Sequence, residues 1–356
     1  MFAATSLQRP TISLLYYSIK KLTIMTTHFL AWWNLENLFD VETSPDRIPW
    51  LQHELASYLR GWDETVLTKK ITNLCSVIRQ LNNNEGPGIM GFCELENKRV
   101  VQLISQNISA ATGKTYDVVH VEMNDHRGID IAFMYDTALY TPEPEIFSHE
   151  VMKRTGTRDL LQVNFTVNAT GKKLFLIGNH WPSRSGGQYE SEPFRIMVGE
   201  NLSYWIKRIM EIRGETEAII VMGDLNDEPF NRSVSEYALG VADENIIENA
   251  AHPILPDTVH KPYLLNLMYQ FLGQNRATFV FGNEKNLLDQ FLVSRGLILD
   301  AGAFRVLEAN IADHFPELVT GEYNRPVSFG APSSAHSYNP EGFSDHLPIY
   351  MVLEEK

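Results

Sequence analysis

Residues 217–226 read EAIIVMGDLN. The apolar run Ala218–Met222 reads as a strand, and Gly223, Asp224 and Asn226 carry it into a loop, because Gly, Asp and Asn favour turns. The same design recurs in AWWNLEN (31–37), IMGFCELEN (89–97), FLIGNHWPSR (175–184), NLLDQFLVS (286–294) and FSDHLPI (343–349). Each time an apolar strand adjoins amides, carboxylates or histidines. Strands packed side by side would bring such ends to one edge of the sheets.

Between these runs the period changes. TVLTKKITNLCSVIRQL (65–81) places Val66, Leu67, Ile71, Leu74, Val77, Ile78 and Leu81 at helical spacing, and NNNEGPG then breaks the chain. NKRVVQLISQNISAAT (97–112) predicts a second helix with Gly113 as its stop. YDVVHVE, IDIAFMY, LLQVNFTV and KLFLIGNHW read as strands, a helix is expected over 194–213, and LPIYMVLE (347–354) reads as a last strand. Strands predominate, and helices fall between some of them. The pattern suits an α/β sandwich, with two mixed or antiparallel sheets face to face and helices outside. A doubly wound parallel sheet would show steadier βαβ alternation and a Gly-rich first turn, and neither occurs.

With 356 residues, 44% of them hydrophobic and 11% aromatic, the chain can bury a large core. Its 30 basic and 44 acidic residues give a formal charge of −14. That excludes the broad positive field of a protein that coats nucleic acid, but leaves room for a local arginine cluster and a metal ion. Cys75 and Cys93 form no C-x-x-C pair, so buried reduced thiols are expected rather than a zinc ribbon or a disulfide framework. The apolar stretch ISLLYYSI near the N-terminus is too short to span a bilayer, and its lysines follow it. The expectation is one domain over 28–356 preceded by an extension, 1–27, that ends near an alternative start at Met25. No stable membrane insertion, no obligate protein partner and a cytoplasmic location are expected with it.

The chemistry of the strand ends is mutually consistent. Asn34, Glu36, Glu94 and Asp345 offer oxygen ligands, which suit Mg2+, Mn2+ or Ca2+. His180 and His346 can exchange protons near neutral pH. Asp289 can orient an imidazole, and Asp224 with Asn226 can position a water. Arg127, Arg184 and Arg195 can contact phosphate oxygens. Each residue alone also has a structural reading. Asn34 can cap a turn, Glu36 and Glu94 can be solvated, GDLND can be only a turn, His180 can be packed beside Trp181, and Arg195 can be a surface charge on its helix. Those readings do not account for complementary groups recurring at strand ends.

In chain order, WNLENLFD, GFCELEN, RGIDIAFMYD, NHWPSR, GDLND, LLDQFLVS and SDHLP resemble the motif series of the DNase I-like endonuclease/exonuclease/phosphatase superfamily, over 28–354. The resemblance implies a four-layer α/β sandwich with a metal site at one end of the paired sheets, and divalent-metal-dependent phosphoester hydrolysis. It implies that Asn34, Glu36 and Glu94 hold or orient the metal and that Asp345 adds a carboxylate. His346 resembles the family's base or phosphate-stabilising histidine, with Asp289 fixing its tautomer. Asp224 and Asn226 resemble the pair that aligns water, and His180 the histidine that assists the leaving group or binds phosphate. Asn179, Arg127 and Arg184 are implied as phosphate contacts. Cys93 stands where many members carry glutamine. Segments 40–63 and 250–273 match no motif and are expected to shape the substrate groove. A nuclease acting on DNA or RNA is the first functional expectation. The alternatives are a phosphatase or phospholipase-like esterase acting on an inositol phosphate or sphingomyelin-type substrate, and a noncatalytic binding protein of the same fold.

Overall fold

The computed structural model describes residues 26–152, 157–248, 262–332 and 337–356. The N-terminal extension and Met25 lie almost wholly outside them. In chain order the strands are β1 (Thr26–Leu38), β2 (Ile89–Leu95), β3 (Tyr116–His120), β4 (Asp130–Asp136), β5 (Tyr140–Pro142), β6 (Phe147–His149), β7 (Leu160–Val167), β8 (Lys173–His180), β9 (Ala218–Asp224), β10 (Gly240–Val241), β11 (Leu264–Asn266), β12 (Phe279–Phe281), β13 (Glu284–Asn286), β14 (Asp289–Val293), β15 (Phe304–Ile311), β16 (Val319–Thr320), β17 (Arg325–Pro326) and β18 (Ile349–Glu355). The α-helices are α1 (Pro49–Leu55), α2 (Glu64–Ile78), α3 (Lys98–Thr112), α4 (Gln188–Arg213) and α5 (Glu244–Glu248).

One sheet runs β15-β18-β1-β2-β4-β3 and the other β10-β11-β14-β9-β8-β7-β5, with β6 also pairing to β7. β1–β2 and β8–β9 are parallel pairs within otherwise mostly antiparallel sheets. Helices α2 and α3 cover the outer face of the first sheet and α4 that of the second, which gives the four-layer sandwich. The period-2 geometry of a strand explains why β9 reads as an unbroken apolar run. Ala218, Ile220 and Met222 join the core between the sheets, while Ile219 and Val221 join the core under α4. One glycine lets the sheets approach each other, and a second makes room for a ring on the neighbouring strand. A Cβ on Gly178 would stand 2.8 Å from Ile131 Cγ2, and one on Gly91 2.5 Å from the Trp32 ring.

The helices begin and end for local reasons. Asp63 caps α2 by accepting from the amides of Thr65 and Val66. Its apolar pattern runs on to Leu81, but the helix stops at Ile78, and Asn82, Asn83 and Asn84 then take left-handed φ values of 55°, 56° and 69°. Asn97 caps α3, and Gly113 ends it at φ 71°. Helix α4 starts six residues before the expected Phe194 and runs through Pro193. In the second turn a proline forfeits only the bond to the carbonyl of residue 189, so the helix survives it.

Segment 40–63 contributes no lining residue to the cleft that holds the candidate site residues. It holds α1 and folds Leu51, Leu55, Leu59 and Trp62 onto Phe39, Val66, Ile129 and Phe329 as a small separate core. Of segment 250–273, residues 250–261 lie outside the described residues, and the rest extends the edge of the second sheet through β11. Cys75 and Cys93 are buried free thiols. No helix among the described residues is long and apolar enough to cross a membrane.

Candidate active site

The parity of β9 that buries Met222 between the sheets carries Asp224 to the same face. Register then sets Asp224 opposite His180 of β8 on one side and Asp289 of β14 on the other. From the facing sheet Asn34, which shares the parity of Trp32, donates through Nδ2 to Asp224 Oδ2 at 3.1 Å. The amide of Asn226 donates to Asp224 Oδ1 at 2.9 Å, so both oxygens of this carboxylate are oriented.

Two bulges aim acidic side chains at this end of the sheets. Pairing of β1 slips between Asn34 and Leu38, and pairing of β2 with β4 slips between Cys93 and Leu95. At these bulges Glu36 and Glu94 take φ values of 50° and 59°, and Asn226 stands at φ 50° in the facing sheet's loop. Left-handed backbone at a non-glycine residue costs about 1–3 kcal/mol and is characteristic of functional sites. Strand alternation alone would turn Glu94 away from Cys93 and the neighbouring sheet. The bulge brings its Oε1 to 3.4 Å from His180 Nε2, and Oε2 accepts from the amide of Asn37 at 3.0 Å.

His346 precedes β18 in a loop held by its backbone. Trp33 Nε1 donates to its carbonyl at 2.8 Å, and its amide donates to Ser344 Oγ, which itself donates to Asn34 O. Its Nδ1 lies 2.6 Å from Asp289 Oδ2, and its Nε2 lies 3.8 Å from Asp224 Oδ2. The Phe279 ring stacks on it at 4.7 Å. Burial opposes a charged ring here, but Asp289, Asp224 and Asp345 outweigh it and hold His346 well above its ordinary value. His180 is the reverse case. Burial, then the positive Arg158, Arg127 and His346, hold it well below, and its buried Nδ1 has no hydrogen-bond partner among the described residues. One imidazole is therefore kept charged and the other neutral, a division that suits two different proton tasks.

The remaining candidates are placed unevenly. Arg127 lines the cleft, with Nε 3.6 Å from Asp125 Oδ1. Arg184 also lines it, but its guanidinium is engaged by the carbonyl of Asn226 and by Asp227, Asn231 and Asn286. Asn179 is not brought to the cluster. It follows the parity of Ile177 toward α4, donates to Ile177 O and accepts from Trp181 Nε1. Arg195 is no surface charge, being fully buried with Nε 2.7 Å from Asp227 Oδ2. The carboxylate of Glu36 accepts from Ser328 Oγ and from the Phe329 amide, and its carbonyl from the fully buried Lys70.

Several residues near the site had no motif to mark them. Arg158 is buried and donates to the carbonyls of His180 and Trp181 and to Asp125 Oδ2. Phe279 and Phe281, two apart on β12, line the cleft, and Phe281 is 74% exposed at its lip. The cleft, about 460 Å³, also takes in Glu94, His180, Asp224, Asn226, Asp345 and His346.

The donor set fits a hard cation. Burial pushes Asp345 up to about 7, with Glu36 and Glu94 adding to it against His346 and Lys70. Burial likewise pushes Asp224 up to about 6, with Asp289 and Glu94 adding to it against His346 and the Asn226 amide. Carboxylates gathered so closely favour either protons or a multivalent cation. The pH dependence follows. Both groups bind protons more tightly in the folded chain than in the unfolded one, where carboxyls titrate near 4. Metal-free stability therefore loses this contribution as pH rises from about 4 to about 7. The expected result, by thermal denaturation in EDTA, is that Asp345→Asn is stabilised relative to the parent increasingly across that window. Parallel pH profiles for the two proteins would contradict the placement of the charge.

The sequence profile of the Endonuclease/Exonuclease/phosphatase family matches residues 29–355. No curated protein matches the sequence. Among solved structures, an endonuclease/exonuclease/phosphatase family protein from Bacteroides thetaiotaomicron aligns at TM-score 0.53 and 14% identity, covering 93% of this chain and 99% of that one. A mannosyl-6-phosphatase from the same organism aligns at TM-score 0.52 and 15% identity, covering 92% and 99%. TDP2 of D. rerio complexed with single-strand DNA product aligns at TM-score 0.51 and 13% identity, also covering 92% and 99%. At these identities the structures share the fold. The family match extends over nearly the whole length and includes every strand end that meets at the cleft, and the chain belongs to the endonuclease/exonuclease/phosphatase family.

Proposed function

We propose that the protein is a divalent-metal-dependent phosphodiester hydrolase acting on nucleic acid. The observation that carries this reading is the cross-strand row His180–Asp224–Asp289 with His346 bonded to Asp289, facing the carboxylates of Glu94 and Asp345. Glu94 and Asp345, with Asn34 and Glu36 beside them, would hold Mg2+ or Mn2+, which supplies neutralisation of the charge that develops on phosphate and leaving oxygens. Asp224, oriented by Asn34 and Asn226, positions a water and accepts its proton. His346, kept charged by Asp289, donates through Nε2 to a phosphate oxygen as negative charge builds up. His180, kept neutral, presents Nε2 beside Glu94 on the other flank of Asp224, where it binds phosphate or assists the leaving oxygen. Arg127 adds positive charge at the rim.

The test is a screen of purified protein against fluorogenic DNA and RNA, a small bis-aryl phosphodiester and an aryl phosphomonoester, with EDTA and with Mg2+ or Mn2+. Cation-dependent cleavage of nucleic acid and of the small diester is expected. Preference for the monoester would favour the phosphatase reading instead, which the likeness to the mannosyl-6-phosphatase supports. No turnover of any phosphoester would leave only a binding role.

Phe281 bears on the substrate. Its exposed ring at the cleft lip suits stacking on a base next to the scissile phosphate, an interaction of about 1–3 kcal/mol. Phe281→Ala is expected to raise KM for an oligonucleotide by about tenfold with kcat little changed, and to leave the small diester unaffected. An equal effect on both substrates would remove base stacking from the account.

A further inference from the structure

The β3–β4 connection carries a second group of metal-ligating side chains. The ligand atoms of His120, Glu122 and Asp130 lie within 4.8 Å of one another. Ile131 and Phe133 face the second sheet, so Asp130 turns to the opposite face of the first sheet, away from the row of Asp224. Asp130 is fully buried, accepts from the Met123 amide at 3.1 Å, and lies 2.8 Å from His120 Nε2. Among the described residues its ion pairs include no lysine or arginine, and Asp125, Glu96 and Asp159 bring negative charge to bear on it. A buried carboxylate in such company takes either a proton or a cation. Glu122 is exposed and free to swing toward the pair.

We infer that His120, Glu122 and Asp130 form a second divalent-cation site, distinct from the catalytic cluster, that takes a first-row transition ion such as Zn2+. One imidazole with two carboxylates is a donor set suited to that ion. Ligands about 2.0–2.2 Å from one ion lie no more than about 4.4 Å apart, so the His120–Asp130 spacing fits and a small rotation of Glu122 completes the set. His120 stands just before and Asp130 just after the loop 121–129, which carries Glu122 near its start and whose Arg127 reaches the catalytic cleft. An ion here ties the base of that loop shut and orders it, whatever phosphoester the cleft takes.

The experiment is Zn2+ titration of metal-free protein by calorimetry, paired with hydrogen exchange of loop 121–129. The exposed Glu122→Gln is the main variant, His120→Gln the second, and Glu94→Gln removes a catalytic-site carboxylate. The expected result is that Glu122→Gln and His120→Gln lose one Zn2+ equivalent, or at least about tenfold in its affinity, and lose the Zn2+-induced slowing of exchange in the loop. Glu94→Gln should keep the loop-site equivalent and the slowing, whatever it loses at the catalytic cluster. If the two loop variants bind Zn2+ as the parent does, or if Glu94→Gln abolishes the loop response, the site is not there. Neither outcome depends on which substrate the enzyme cleaves.

Discussion

Replacing His346 is expected to lower kcat by about 10² to 10⁴, the range for a missing acid–base group. The ring is buried and bonded to Asp289, and its Nε2 lies 3.8 Å from Oδ2 of Asp224, the proposed water-positioning group. Alanine would also leave the wholly buried Asp289 without its partner, and breaking a buried charged pair costs about 3–5 kcal/mol. His346→Gln is the cleaner variant, since its amide can still donate to Asp289 while it cannot carry charge. The two roles separate by pH. His346 is charged below its raised folded value and loses charge as pH rises through it, so the parent should show a basic limb in kcat. Asp289→Asn removes the first of the carboxylates that raise it and should move that limb to lower pH. Steady-state rates on a small phosphodiester, with circular dichroism to verify folding, read both effects. Near-parental kcat in His346→Gln, or an unmoved basic limb in Asp289→Asn, would reject the assignment.

Glu94→Gln is expected to abolish cation-dependent turnover while leaving the metal-free protein at least as stable as the parent. The side chain stands at a left-handed bulge beside His180, in a cluster with Asp224 and Asp345. Removing one negative charge relieves repulsion when no cation is bound and removes a ligand when one is. Stability against Mg2+ distinguishes this from general damage. A ligand at 100 times its Kd stabilises the folded state by about 2.7 kcal/mol. The parent should gain that much in thermal denaturation, and Glu94→Gln should gain little at the same Mg2+ concentration. An undiminished Mg2+ response in the variant would show that Glu94 does not hold the ion.

Much of this architecture was legible in the sequence because its causes are local. The apolar run of β9 and the helical spacing of α2 and α3 depend on neighbours a few residues away, as do the stops at Asn82–Asn84 and Gly113. The motif series likewise marked the polar strand ends, since each motif is contiguous. Local spacing could not say which way a side chain turns once the strand leaves its period. Asn179 and His180 are adjacent, yet alternation sends one toward α4 and the other toward Asp224. Glu94 would follow the wrong parity without its bulge.

The sequence by itself therefore determined most of the long strands, helices α2 and α3 with most of α4, the sandwich class and the kinds of chemical group at the strand ends. Only the tertiary structure decided strand order and register, and through them that Asp224 stands between His180 and Asp289. It also decided the partners that set charge. Arg158 beneath His180 and Asp289 beside His346 come from segments 22 and 57 residues away. The physical reason is that desolvation and Coulomb attraction act across space within a few ångströms, regardless of separation along the chain.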